Sequence, residues 1–209
     1  NKVYTNKNFS YRLFDFMGHY FTNEDLEHNK KIIKVIIKNE DFSFITDNGV
    51  FSKKGLDFGT RTLLENLDYK NINGKILDFG CGYGSIGIIV SKFTGLEVDM
   101  LYINKRSIEL AKENSKLNKV KTNIFESNIY ENVQDKYDYI ISNPPIRVGN
   151  EILYKILFEA KDHLNDNGKL IIVVNKDQGA KSLMEKLKKF YNVNLIAKNK
   201  GFFVILCSK

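Results

Sequence analysis

The segment Asp78-Phe79-Gly80-Cys81-Gly82-Tyr83-Gly84 decides the fold of this 209-residue chain. The apolar run at 75–79 is typical of a buried strand, and residues 85–93 carry apolar side chains at helical spacing. Alternating glycines let the backbone turn sharply and approach a ligand, and the following helix presents free N–H groups to it. Gly82-x-Gly84-x-x-Gly87 also matches a dinucleotide-binding fingerprint. The segment therefore predicts a strand–loop–helix unit that binds a nucleotide-like cofactor.

The sequence that follows alternates regularly between strands and helices. Strands are predicted at 97–103, 121–126, 137–142, 169–174, 193–197 and 202–207, and helices at 61–69, 105–118, 151–164 and 180–190. Asn104 is a good N-cap for the helix at 105–118. No helix separates the last two strands, so one strand must run antiparallel. The pattern predicts an α/β fold with a Rossmann-like, doubly wound sheet of seven strands, mainly parallel with one antiparallel strand.

The first sixty residues carry a different pattern. Two β-rich runs at 31–38 and 42–46, separated by a short polar turn, predict a hairpin. Residues 1–20 are polar and aromatic without a clear period. We expect a small N-terminal extension with this β-hairpin at 1–60 and the main domain at 61–209. The hairpin and the aromatic segment are candidates for shaping the substrate side, and simple packing over the sheet is the alternative interpretation.

Composition excludes several classes of site. The two cysteines, Cys81 and Cys207, are far apart in sequence, and the three histidines are scattered, which gives neither a disulfide framework nor a metal-binding spacing. No apolar run approaches the roughly 20 residues that span a bilayer. We therefore expect a cytoplasmic protein without a metal and without membrane contact.

The formal net charge is +7, and the excess lies in residues 150–209, which hold eleven lysines and six acidic residues. A basic surface favours a phosphate-rich partner such as RNA. A merely solvated lysine-rich face explains the charge equally well.

The end of the second strand bears on the choice of cofactor. An NAD site requires an acidic residue there to bind the ribose hydroxyls, and Tyr102 holds that position. Asp78 lies before the glycines, where a carboxylate can order the loop and reach a cationic group of a ligand. These features favour S-adenosylmethionine, which has no pyrophosphate, over NAD.

The chain has only two prolines, and both follow the fourth strand in Asn143-Pro144-Pro145-Ile146. Proline removes the backbone N–H and restricts the residue before it to extended conformations. The result is a stiff loop that offers carbonyl acceptors, together with the Asn143 amide. Such acceptors suit an amino group that develops positive charge as it attacks a methyl group.

The combination of DFGCGYG and NPPI resembles a class I S-adenosylmethionine-dependent methyltransferase that acts on an exocyclic amine. The stretch from Asp47 to Arg61 resembles the lead-in of the methyltransferase small domain family, and the resemblance runs from His19 to Ser208. Members of that family include ribosomal small-subunit RNA guanine-N2 methyltransferases. Ile146, in place of an aromatic residue, is similar to this guanine-N2 group. The resemblance implies methyl transfer to the N2 amine of a guanine in ribosomal RNA.

The resemblance also implies roles for individual residues. It places the substrate amine at Asn143, Pro144, Pro145 and Ile146. It places the cofactor at Thr60, Asp78, Gly80, Cys81, Gly82, Gly84, Tyr102, Ile103, Asn128, Ile129 and Asn143. Small relatives without a second domain suggest a homodimer or an assembly intermediate as the substrate platform.

Two departures from the family pattern keep alternatives open. Tyr102 stands where the family usually has an acid that grips the ribose, and Asn128 stands where aspartate is frequent at adenine. One alternative is a protein-glutamine or DNA-base N-methyltransferase, since these enzymes share the NPP motif. Another is a catalytically idle RNA-binding or assembly module with a weakened cofactor site.

The change Tyr102→Asp is expected to tighten S-adenosylmethionine binding. A bidentate hydrogen bond to a carboxylate contributes about 2–3 kcal/mol, so restoring it would strengthen binding by roughly 10²-fold. Calorimetric titration of both proteins measures the effect. Unchanged or weaker binding by the variant would contradict the prediction.

Overall fold

The computed structural model describes residues 27–50, 52, 55–145 and 148–209. The aromatic segment at 1–20 and Ile146 lie outside the described residues. The strands are β1 Lys31–Ile37, β2 Glu40–Thr46, β3 Ile76–Phe79, β4 Val98–Tyr102, β5 Thr122–Glu126, β6 Tyr137–Ser142, β7 Leu164–Asn175, β8 Asn192–Asn199 and β9 Phe202–Ser208. The α-helices are α1 Phe58–Glu65, α2 Ser85–Thr94, α3 Lys105–Leu117, α4 Asn150–Glu159 and α5 Ala180–Leu187.

Seven strands form one sheet in the order β5-β4-β3-β6-β7-β9-β8. Strand β9 is antiparallel to both of its neighbours, β7 and β8, and the other pairings are parallel. The predicted doubly wound sheet with one antiparallel strand is therefore confirmed. Strand β3 lies between β4 and β6, where the direction of chain progression reverses. Ligands of such folds bind outside the carboxyl ends of the strands at this switch point.

Each face of the sheet is covered by a separate apolar cluster. Residues of β3 alternate between the clusters, so that Ile76 faces α1, α2 and α3 while Leu77 faces α4 and α5. This alternation follows from the period of two along a strand, and the helices supply the second layer on each face. Because helices cover both faces of the sheet, the carboxyl ends of the central strands are left as its open edge.

Three helices differ from the sequence prediction, and one of them, predicted at 180–190, ends at Leu187. Helix α1 begins at Phe58 rather than at 61, because the Asp57 side chain caps it by accepting from the Thr60 N–H at 3.1 Å. The helix predicted at 151–164 ends at Glu159 and continues as a 3₁₀ turn, Ala160–His163. The Asn104 cap on α3 is confirmed, since its side chain accepts from the Ser107 N–H at 3.0 Å.

The predicted hairpin is present as β1 and β2, and α3 holds its free edge. The Asn114 amide accepts from the Ile45 N–H at 2.6 Å and donates to the Ile45 carbonyl at 2.9 Å. One helical turn later, Asn118 makes the same pair of bonds with Ser43 at 3.2 and 2.8 Å. Two asparagines thus satisfy alternate residues of an edge strand in place of a third strand. Packing over the helical layer is the role that the described hairpin residues support.

The division at residue 60 stays a prediction, although α1 itself runs across that position. Within the described part of the chain, no helix combines the length and the apolar character that a bilayer crossing requires.

The change Asn114→Ala is expected to lower the free energy of unfolding by about 3 kcal/mol, because it strips three hydrogen bonds from a fully buried site. The third of these bonds is to the Tyr83 carbonyl at 2.9 Å. Asn118→Ala serves as the control and should cost about 1 kcal/mol, since that side chain is only half-buried. Urea denaturation measures both changes. Equal effects of the two substitutions would contradict the special role of Asn114.

Candidate cofactor and substrate site

The glycine loop between β3 and α2 forms one wall of a cavity of about 400 Å³ at the carboxyl edge of the sheet. Gly80 and Gly82 have φ of 77° and 55°, and a Cβ added at either would meet no atom within 4 Å. Their backbone therefore faces open space with nothing to block a ligand. Gly84 differs, because a Cβ there would lie 2.9 Å from Ile88 and from Met100. Gly80 and Gly82 are placed at the cavity, and Gly84 serves close packing.

Asp78 lies beneath the loop, outside the lining of the cavity. Its Oδ2 accepts from the Gly87 N–H at 2.8 Å in the first turn of α2, and its Oδ1 is buried without a hydrogen-bond partner. Burial raises the pKa of the carboxyl to about 7, even though the Gly87 amide favours the charged form. The loop-ordering role inferred from sequence agrees with these contacts.

Cys81 lines the cavity, and burial raises the pKa of its thiol well above the ordinary value. Burial also raises the pKa of the Cys207 thiol to about 12. Both cysteines are therefore neutral and behave as small apolar side chains at neutral pH. Among the described residues, no group of three or more metal-ligating side chains occurs.

A narrow apolar slot of about 50 Å³ lies beside the main cavity. It is lined by residues from the ends of β3, β4 and β5 and from α4: Phe79, Gly80, Leu101, Tyr102, Ile103, Ser127, Asn128, Ile129, Pro145, Val148, Ile152 and Ile156. Asn128 donates from Nδ2 to Glu131 Oε1 at 2.8 Å. Because a carboxylate only accepts, the Asn128 oxygen is left as an acceptor for a ligand amine. Ile103, Asn128 and Ile129 are thus brought together, as predicted.

Tyr102 ends strand β4 and lines both the cavity and the slot. A ligand that occupied both would cross this residue. The ribose contact that the family resemblance implies for this position stays a prediction.

The loop after β6 forms the part of the cavity wall that adjoins the start of α1. Asn143 donates from Nδ2 to Thr60 Oγ1 at 2.9 Å and to the two Asp57 oxygens at 3.3 and 3.4 Å. Pro144 and Pro145 line the same cavity. A hydrogen bond thus links Thr60 to Asn143, two residues for which the sequence predicted no contact.

The rest of the cavity lining includes residues that the sequence analysis did not assign to the site: Ser52, Asp57, Phe58, Asn175, Gln178 and Phe202. The Phe58 and Phe202 rings contact each other, with centroids 5.7 Å apart. Signals existed for Asp57, an N-cap residue before α1, and for Asn175, which opens a capping box with Gln178. No local sequence signal marked Phe202, because it reaches this edge only through the pairing of β9 with β7.

The residues present fit S-adenosylmethionine. The open backbone at Gly80 and Gly82, the apolar slot with the Asn128 acceptor, and a volume within the range of small-molecule sites all agree with it. Beneath the loop, Asp78 Oδ1 has no hydrogen-bond partner among the described residues.

Comparison with known proteins supports the same assignment. A family model described as the methyltransferase small domain matches residues 41–206. The chain belongs to the methyltransferase small domain family. The uncharacterized Bacillus subtilis protein YbxB is 37% identical over 197 residues, which cover 91% of this chain and 98% of that protein.

Other relatives of the chain are longer. The ribosomal RNA small subunit methyltransferase C of Psychromonas ingrahamii is 34% identical over 176 residues, which cover 82% of this chain and 50% of that protein. The T. thermophilus 16S rRNA N2 methyltransferase RsmC, solved in complex with AdoMet and guanosine, superposes with a TM-score of 0.77. That match has 22% identity and covers 86% of this chain and 50% of that one. The chain therefore spans about half the length of these RNA methyltransferases.

The change Asp78→Asn is expected to flatten the pH dependence of stability. The folded carboxyl has a pKa of about 7 against an ordinary value of 3.8, so the native state binds more protons in that interval. Wild-type stability should consequently fall as the pH rises from about 4 to about 7. Asparagine keeps the acceptor for Gly87 and cannot titrate.

Urea denaturation at several pH values tests this expectation. The exposed Asp166→Asn serves as the control and should retain the wild-type profile. Identical profiles for wild type and Asp78→Asn would contradict the assignment of the titration to Asp78.

Proposed function

We propose that the chain is an S-adenosylmethionine-dependent N-methyltransferase that acts on the exocyclic N2 amine of a guanine in ribosomal RNA. The observation that carries the proposal is that the glycine cradle, Gly80 and Gly82, lines the same cavity as Asn143, Pro144 and Pro145. The names of the RNA methyltransferases that match the chain support the substrate class.

The chemistry needs orientation more than proton transfer. When bound, S-adenosylmethionine supplies an electrophilic methyl group on a sulfonium. The Asn143 oxygen and the Pro144 carbonyl accept N–H groups of the substrate amine and orient its nitrogen toward the cofactor side of the cavity. As the nitrogen gains positive charge, these acceptors stabilise it. The donor-free backbone of the two prolines offers no competing N–H.

The position of the lysines supports an RNA substrate. Lys200 Nζ lies 5.2 Å from the centroid of the Phe58 ring, so a cation stands beside a ring that lines the cavity. Lys198 lies near the end of β8, two residues before Lys200. In contrast, Lys186 and Lys188 on the basic α5 helix contact Tyr154 and Glu185. Phosphate contacts by the turn lysines would hold the nucleotide that enters the cavity.

Tyr102 favours one alternative, a module that binds RNA without cofactor. Tyr102 lines both the cavity and the slot and stands where the family resemblance leads one to expect an acid that binds the ribose. A protein that binds RNA and fails to bind S-adenosylmethionine would fit this alternative.

Methyl transfer from labelled S-adenosylmethionine to total RNA and to small ribosomal subunits, followed by nucleoside analysis, tests the proposal. N2-methylguanosine is the expected product. Label in a protein glutamine or in a DNA base would instead favour the other NPP-containing enzymes. Absence of both cofactor binding and transfer would overturn the proposed activity.

The change Asn143→Ala is expected to lower kcat by roughly 10²-fold or more, because it removes the acceptor that positions the amine. The dissociation constant of S-adenosylmethionine should change far less than kcat, since the glycine cradle is untouched and Asn143 is only one of the predicted cofactor contacts. Asn194→Ala on the exposed surface of β8 is the control and should be fully active. A variant that lost cofactor binding and kept kcat would contradict this role.

A further inference from the structure

The orientation of the Asn143 amide is decided by its surroundings, and this inference rests on the proposed function. The amide nitrogen lies within hydrogen-bond distance of Thr60 Oγ1 and of both Asp57 oxygens. A threonine hydroxyl can donate or accept, so it accommodates either end of the amide. A carboxylate only accepts, so it requires the NH₂ end. Asp57 alone among these partners distinguishes the two orientations.

We propose that Asp57 is a positioning residue that turns the Asn143 carbonyl oxygen toward the substrate amine. With the NH₂ group committed to Asp57, the oxygen is the end left for the cavity. The opposite orientation would place two donors against the donor hydrogens of the amine. The correct orientation is therefore a condition of catalysis, although Asp57 need not touch the substrate.

The fold holds Asp57 rigidly enough for this role. Its Oδ1 also accepts from the Thr60 N–H at 3.1 Å as the N-cap of α1. The next residue but one, Gly59, lies against the Phe202 ring, where an added Cβ would come within 2.8 Å. The capped helix start is thus packed against β9, and the carboxylate has little freedom to turn away from Asn143.

The change Asp57→Asn tests the inference with little change of shape. Asparagine caps helices as well as aspartate does, so α1 should be retained. The new asparagine can keep its side-chain oxygen on the Thr60 N–H only if its own NH₂ group faces the NH₂ group of Asn143. This arrangement favours reversal of the Asn143 amide. We expect kcat to fall by roughly 10- to 100-fold, with the dissociation constant of S-adenosylmethionine and the melting temperature nearly unchanged. Asp68→Asn is the matched control, because the exposed Asp68 accepts from Asn71 Nδ2 at 2.6 Å away from the cavity.

The reciprocal exchange sharpens the test. Asn143→Asp alone sets two carboxylates against each other and should abolish most activity. In the double variant Asp57→Asn with Asn143→Asp, the new NH₂ group faces the new carboxylate, and one oxygen again faces the amine. Its kcat should exceed the product of the two single effects by roughly 10-fold. A strictly multiplicative result would overturn the inference.

A spectroscopic readout separates this inference from the proposed function. The side-chain NH₂ signals of Asn143, identified by their loss in Asn143→Asp, should shift in Asp57→Asn and stay unchanged in Asp68→Asn. Unshifted signals in Asp57→Asn would overturn the orientation by Asp57, whether or not the protein methylates RNA. Shifted signals in a protein without methyl transfer would support the orientation while the proposed function fails. Shifted signals with an unchanged kcat would overturn the positioning role.

Discussion

The site depends on one buried hydrogen bond, from the Gly87 backbone to the Asp78 carboxylate at 2.8 Å. This bond ties the end of the central strand to the first turn of α2, and the glycine loop closes between these two points. The helix can come this close because residue 87 has no side chain: a Cβ there would lie 2.7 Å from Met100. The open backbone at Gly80 and Gly82 follows from this arrangement, since both ends of the loop are fixed from below.

The loop after β6, which also lines the cavity, is fixed by side-chain contacts to neighbouring elements. Ser142 donates to the Phe79 carbonyl at 2.7 Å, which joins the ends of β6 and β3 directly. One residue later, Asn143 bonds to the start of α1. The two prolines then remove the remaining freedom of the chain. The cradle and the amine-binding loop are therefore held in one frame by neighbouring strands, which suits chemistry that relies on geometry.

The sequence predicted most of the fold because each element carried its own signal. Hydrophobic periodicity, the Asn104 cap and the turn before Phe202 act locally, and the doubly wound, mainly parallel sheet followed from the alternation of strands and helices. The site was harder, because sequence does not say which glycine faces a ligand. Gly82 and Gly84 share one motif, yet only Gly82 borders the cavity. Asp57 and Phe202 reach the site through tertiary packing of remote segments, so local pattern could not assign them to it.

The distribution of charge explains how the cavity can serve a cationic cofactor and a neutral amine together. Among the described residues that line the cavity, Asp57 is the only acidic residue, and none is a lysine or an arginine. Burial keeps the Cys81 thiol and the Tyr83 phenol neutral, because it raises the pKa of each. A single negative charge stabilises the positive charge that develops on the attacking nitrogen. The NH₂ group of Asn143 donates to the Asp57 carboxylate. The dipole of the Asn143 amide is thereby oriented with its negative end, the oxygen, toward the substrate amine. The lysines stay outside at Lys198 and Lys200, where they can meet phosphate without opposing the cation within.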